Sequence, residues 1–398
     1  MPCTQGVRAT GEQAVTQRGF KTSVAPGVLT WARETAGMAV ADVASRLRIR
    51  PDTVAQWEAG ARPLSIGRLE RLANLYKRPL AAMLLPAPPS EPAAPHDFRA
   101  LPGEKKACLT HETLLAIREA TRIQGLAAEL AVELGETAHW SAPAAVAASR
   151  PDALAVRERE RLGISVDQQC TWGTPAAALK QWRHALERAN MLVLQFAMPM
   201  DDARGFSLPH THAPVIVINA RDAVSGRVFT LFHEYGHLLL GSSALCIPDI
   251  EGRTGRRCAR AERFCNEFAG AFLVPSQALA DRLGEREPDN AAVGKLAARF
   301  GVSRHVMLHR LRRTGRISEA ALRRSLEALA ARETAPTKRK AGFAQPPARR
   351  CLQVRGELFP RRVVEARARD LITASDAADY LSLRVRHFDR VEALLGEG

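Results

Sequence analysis

Apolar residues recur at helical spacing along most of the chain and give way to strand-like runs in two places. The stretch THETLLAIREATRIQGLAAELAVELG predicts a long helix, with Thr110 as its cap and Gly135 as its stop. TPAAALKQWRHALERAN predicts another, with Thr174 at the cap, Pro175 at the first position and Asn190 just past the end. The runs MLVLQF and PVIVIN read as strands. After them come the apolar helix FTLFHEYGHLLLG, a helix RCARAERFCNEFAGAFL and the helical stretch DNAAVGKLAARFGVSRHVMLHRLRRTG. A last helical piece is expected over residues 374–395. The expectation is a mainly α protein with a small β-sheet, α+β overall.

Residues 26–86 carry a different pattern of short helices and tight turns. One helix ends at Gly37, a second runs near Val40–Arg46 and a third starts at Pro51, with only LRIR between the last two. That spacing suits a helix-turn-helix within a five-helix domain, which places the start of its second helix in the major groove of DNA. Trp57 reads as a packing residue there. Residues 1–25 are polar and expected to lack order, and 87–96 form a proline-rich linker. A helical connecting region is expected over 97–170, a domain holding both strand runs over 171–320, and a basic linker with a C-terminal helical region over 321–398. A second helix-turn-helix-like spacing, Leu296–Leu311, is read as core packing.

Composition narrows the partners. The formal net charge is +15, and 49 of the 57 cationic side chains are arginine, so duplex DNA is the first partner to consider. No run of about 18 apolar residues exists to span a membrane, and the N-terminus lacks the apolar block of a secretory signal. Seven scattered cysteines make no disulfide framework, so a reducing, cytoplasmic location is expected.

The candidate chemistry lies in HEYGH. His233 and His237 stand four residues apart on one helical face, so both imidazoles reach one zinc ion. Glu234 then stands beside the metal, placed to take a proton from water that the metal has acidified. A catalytic zinc needs a third protein ligand and an open position. The next helix offers Glu262, with Glu267, Cys258 and Cys265 as rivals.

HEYGH, followed by Glu262, Cys265, Asn266, Phe268, Ala269, Leu273 and Pro275 in ERFCNEFAGAFLVP, resembles the ImmA/IrrE family of metallopeptidases. RGFSL at Arg204–Leu208 and PVIVIN also match, and Cys265 departs from a frequent alanine. The resemblance implies that Glu262 is the third zinc ligand and Glu234 the general base. It also implies a protein substrate, a helix-turn-helix repressor or antitoxin-like protein. The sequence from Trp57 to Leu64 resembles the Xre/Cro-type helix-turn-helix family. Its positions put Arg50, Asp52, Thr53 and Gln56 near base edges, and Arg48, Arg62 and Arg68 near phosphates. Such domains also serve dimerisation, so a homodimer is a further expected partner state.

Pro214 suits the start of an edge strand. Val215–Asn219 is therefore the expected edge against which an extended substrate lies, with Val215, Val217 and Asn219 along it. The rival expectation is a transcription regulator without enzymatic activity, its zinc site sensory or structural. The intact Glu234 favours the enzyme, since a structural site needs no base.

Overall fold

The computed structural model describes residues 21–22, 24–89, 109–137, 140, 150–241, 244–246, 256–283, 287–333 and 345–396. Residues 1–20, 90–96 of the proline-rich linker and 334–344 of the Arg/Pro-rich stretch lie outside the described residues. The chain divides into two compact units, 1–92 and 93–398.

In the first unit, β1 (Lys21–Thr22) precedes α1 (Pro26–Thr35), α2 (Val40–Leu47) and α3 (Pro51–Glu58). Then come β2 (Leu64–Ser65), α4 (Ile66–Tyr76) and α5 (Leu80–Met83). Prolines at the first positions of α1 and α3 preset the helical φ. Gly37 and Arg48, both at positive φ, end α1 and α2. β1 pairs antiparallel with β2, so the N-terminal stretch expected to lack order contributes a strand at its end. Val43, Val54, Trp57, Leu69, Leu72 and Tyr76 fill the core. Arg33 on α1 grips Glu58 on α3 through two bonds, 2.7 and 3.0 Å, and donates to the Met38 carbonyl at 3.0 Å. That fork fixes the third helix against the first.

The second unit is built on a four-stranded sheet of β3 (Leu192–Phe196), β4 (Gly205–Leu208), β5 (Val215–Asn219) and β6 (Ala244–Cys246), in the order β3-β5-β4-β6. β3 runs parallel to β5, while β4 is antiparallel to both β5 and β6. This corrects the expected edge. β5 is bonded on both sides, Val217 facing Leu194 on one and Phe206 on the other, so its backbone has no free edge for a substrate. The five residues of β5 are all buried, as an interior strand covered on both faces requires.

Side chains of β5 alternate between two cores. Ile216 and Ile218 join one with α7 (Pro151–Leu162), α9 (Pro175–Arg188), α10 (Val224–Leu239) and α11 (Arg256–Leu273). Val215 and Val217 join the other with α6 (His111–Glu133) and the C-terminal helices. The short α8 (Val166–Thr171) and α12 (Ser276–Leu283), with α13 (Asn290–Phe300), α14 (Arg304–Arg313) and α15 (Glu319–Glu333), complete the first layer. The second layer holds α16 (Pro347–Arg355), α17 (Leu358–Ala368), α18 (Ala374–Tyr380) and α19 (Phe388–Gly396).

The C-terminal region is thus one cover of the sheet. Phe359, Val363 and Ala366 of α17 are fully buried in it. Leu296, Phe300, Val302, Met307 and Leu311 pack in the first layer, as core residues. The capping reading of α9 is realised, with Thr174 Oγ1 accepting from the Ala177 amide at 3.2 Å and Asn190 at positive φ. At α6 it is not. Thr110 occupies the cap position, but its hydroxyl donates to Asp202 at 2.6 Å and makes no cap bond.

Candidate metal centre

α10 carries the HEYGH stretch and is buried almost throughout its second half. It lies against β4 and β5 on one side and α11 on another, which keeps His233, Glu234 and His237 at 2% exposure or less. Burying three titratable groups in one apolar helix is costly unless partners compensate them. The imidazoles have such partners. His233 Nε2 and His237 Nε2 stand 3.1 Å apart. From α11, Glu262 brings Oε2 within 3.2 Å of His233 Nε2 and Oε1 within 3.2 Å of His237 Nε2.

The two Nε2 atoms and one oxygen of Glu262 lie within 4.8 Å of one another, close enough to share one zinc ion. Zinc bound at about 2.0–2.1 Å in a tetrahedron separates its ligand atoms by roughly 3.3 Å. Two imidazoles and a carboxylate leave the fourth position open. The charge pattern agrees: although burial opposes it, the bonds with His233 and His237 hold the Glu262 carboxyl well below the usual carboxylate range. Behind the cluster, His233 Nδ1 meets Asn266 Oδ1 at 3.0 Å. Donation to that oxygen leaves the lone pair on Nε2, the nitrogen that faces the cluster.

Glu234 is treated differently by the fold. Both its oxygens are buried and have no hydrogen-bond partner among the described residues. Burial pushes its carboxyl up to about 7, against the pull of His237 and His233. Gly205 on β4 permits this enclosure, because a Cβ there would meet Thr230 Cγ2 at 2.6 Å and Glu234 Cγ at 3.4 Å. An unpartnered buried carboxylate with a proton affinity near neutrality is what a general base requires.

The rivals for third ligand are engaged elsewhere. Glu267 pairs with Arg313 on α14. Cys265 is buried against Gly236. The Cys258 side chain lies outside the described residues. Two supporting roles had no reading from sequence. Asn266 appeared in the quoted pattern without a function. Tyr235 donates to Glu158 of α7 at 2.6 Å, with Arg161 bonded to both, and so anchors the metal helix from behind.

The residues expected along a substrate edge have structural duties. Asn219 is fully buried; its Nδ2 donates to the Met198 and Ala203 carbonyls, and its Oδ1 accepts from the Met198 and Arg221 amides. It brackets the loop between β3 and β4. Val215 and Val217 point into the second core.

In the first unit, Arg48, Arg50, Gln56, Arg62 and Arg68 are exposed and Thr53 is half-buried. Arg50 stands at the cap position of α3, makes no side-chain cap bond there and pairs with Asp52 at 3.2 Å. Arg68 lies over the Trp57 ring at 5.7 Å, while Trp57 itself is core.

Residues 186–312 match the sequence family described as the IrrE N-terminal-like domain, and residues 27–84 match a helix-turn-helix domain. The chain joins a helix-turn-helix domain to an IrrE-like domain. The IrrE-like match contains His233, Glu234, His237 and Glu262 together with the whole four-stranded sheet. The radiation response metalloprotease IrrE of Deinococcus deserti is 33% identical over 141 residues, which are 35% of this chain and 48% of that protein. Its namesake in Deinococcus radiodurans is 35% identical over 99 residues, 24% of this chain and 30% of that protein. The chain therefore spans less than half the length of the curated relatives it matches.

Proposed function

We propose that this protein is a zinc-dependent regulatory endopeptidase with its own DNA-binding domain, and that it cleaves a helix-turn-helix repressor or antitoxin-like protein to control transcription. One observation carries the peptidase reading: two imidazole nitrogens 3.1 Å apart, each 3.2 Å from one oxygen of the Glu262 carboxylate, beside a second, buried carboxylate. When bound, zinc would supply a Lewis acid for the scissile carbonyl and lower the pKa of water. His233, His237 and Glu262 would hold it, and Asn266 keeps His233 in the required tautomer. Glu234 takes the proton of the attacking water on a carboxylate oxygen and returns it to the leaving nitrogen. The dry surroundings of Glu234 raise its basicity for the first transfer, and the same raised proton affinity lets it hold that proton until the second.

The protein-substrate class rests on the resemblance, as does duplex DNA as the second partner. The exposed side chains of Arg50, just before α3, and of Gln56 within it suit contacts to guanine and adenine edges, and Arg48, Arg62 and Arg68 suit phosphates. The reading is tested by incubating the purified chain, and its Glu234→Gln variant, with the repressor encoded by the neighbouring gene. Mass spectrometry should find two fragments with the first and intact repressor with the second. Equal cleavage by both proteins would remove Glu234 from the reaction.

A further inference from the structure

Away from the metal cluster, a cavity of about 310 Å³ lies between α9, β3, the first turn of α10 and the turn joining α16 to α17. That volume is at the lower end for small-molecule sites. Lys180 and Arg183 of α9 and Arg227 of α10 line it with positive charge. Leu179 and Val224 supply apolar wall.

The arginines are held in place. Arg183 donates to the carbonyls of Val193 at 2.8 Å and Gln353 at 3.0 Å, and its Nε is buried with no partner among the described residues. Arg227 donates to Gln195 Oε1 and to the Asp222 carbonyl, both at 3.0 Å. Two carboxylates also line the cavity, and each is already committed. Glu187 accepts the Glu357 amide on both oxygens at 3.2 and 3.1 Å, and burial pushes its carboxyl up to about 7. Glu357 faces Arg361 at 3.3 Å and His184 at 3.8 Å. Lys180 is exposed and adds its charge at the rim.

We infer that this cavity binds a small dianion, a dicarboxylate or a phosphate group, bridging the cationic wall of α9 and Arg227 of α10. Anchored guanidinium groups in a partly apolar cavity present fixed positive charge whose ordering cost is already met. Arg227 stands on the helix that carries His233 and His237, so occupancy ties that helix to α9 and the C-terminal layer. The cavity is thus a signal input to the metal site. That consequence rests on the function proposed above, whereas binding itself does not.

The test is calorimetric titration of the full chain with succinate and, separately, with inorganic phosphate, against sodium chloride of matched ionic strength. Saturable binding of succinate, of phosphate or of both supports the site, and the stronger of the two identifies the acidic group. Lys180→Glu, at an exposed position, should weaken that binding about tenfold. Ala176→Phe, also exposed, should abolish it by filling the cavity. Circular dichroism checks both folds. No saturable heat with either anion, or equal binding by Lys180→Glu and the unaltered chain, overturns the proposal. Because the readout is binding, failure here leaves the peptidase reading untouched, and loss of peptidase activity leaves this result standing.

Discussion

Gly236 of the metal helix lies directly against Cys265 of α11: a Cβ at position 236 would meet Cys265 Sγ at 3.1 Å and its Cα and Cβ at 3.3 Å. Ordinary side-chain contacts are looser than this. The missing Cβ lets the two helices approach closely enough for Glu262, on the same helix as Cys265, to reach both imidazoles at 3.2 Å. The glycine of HEYGH therefore sets the spacing that brings the Glu262 carboxylate to the two imidazoles.

Gly236→Ala should push the helices apart by a few tenths of an ångström. We expect a loss of about 1–2 kcal/mol in stability from overpacking and a zinc affinity about tenfold weaker. Adding Cys265→Gly should restore most of the affinity, because it removes the side-chain atoms that the new methyl strikes. Competition titration with a zinc chelator reads the effect. Unaltered affinity in Gly236→Ala would show that helix spacing does not position Glu262.

Asn266→Ala removes the acceptor for His233 Nδ1. Loss of such an outer partner weakens metal binding by about 10–100-fold. Metal titration should place Asn266→Ala in that range with melting little changed in the metal-free protein. A variant that binds zinc as the unaltered chain does would leave the tautomer of His233 set by something else.

In the first unit, Arg33→Ala should destabilise the helix-turn-helix by about 2 kcal/mol, since it strands the half-buried Glu58 carboxylate. DNA selection experiments should then separate two roles. Arg50→Ala and Gln56→Ala should relax sequence preference, while Arg62→Ala should weaken all duplexes alike and reduce the salt slope. Equal effects of all three on specificity would contradict the assignment of α3 to the bases.

Glu187 predicts a pH dependence of stability. Its folded value of about 7 lies above the ordinary 4.5, with burial as the largest cause. A carboxyl raised by folding favours the protonated native state, so its contribution is whole below pH 4.5 and is lost as pH rises through 7. Relative to Glu187→Gln, the unaltered chain should lose about 3 kcal/mol between pH 4.5 and 8. Urea melts of both proteins across that range measure the difference. Parallel stability curves would contradict it.

The candidate cluster was legible because two of its members are local: helical periodicity alone puts His233 and His237 on one face. Glu262 needed the resemblance, since only tertiary packing decides which carboxylate of α11 turns inward. The sheet was half legible. β3 and β5 announce themselves as apolar runs, but β4 spans four residues and β6 three, too short for any periodic signal. Missing them made β5 look like an edge, with Pro214 read as its marker. Yet VIVIN lacks apolar–polar alternation, the mark of a strand covered on both faces. The C-terminal layer was hidden by its arginines. Arg362 of α17 sits at 2% exposure, paired with Glu136 at 2.6 Å and bonded to Asn190 at 2.6 Å, partners far away in sequence. A buried arginine reads as surface until its distant partners are known.

The most direct measurement is elemental analysis of protein purified without chelator, on the unaltered chain and four variants. The account predicts about one zinc per chain in the unaltered protein, in Glu234→Gln and in Glu267→Ala, because the two imidazoles and Glu262 supply the three ligands. It predicts loss of zinc in His237→Ala and in Glu262→Ala. A chain that holds no zinc, or one that keeps it in Glu262→Ala and loses it in Glu267→Ala, would contradict the account.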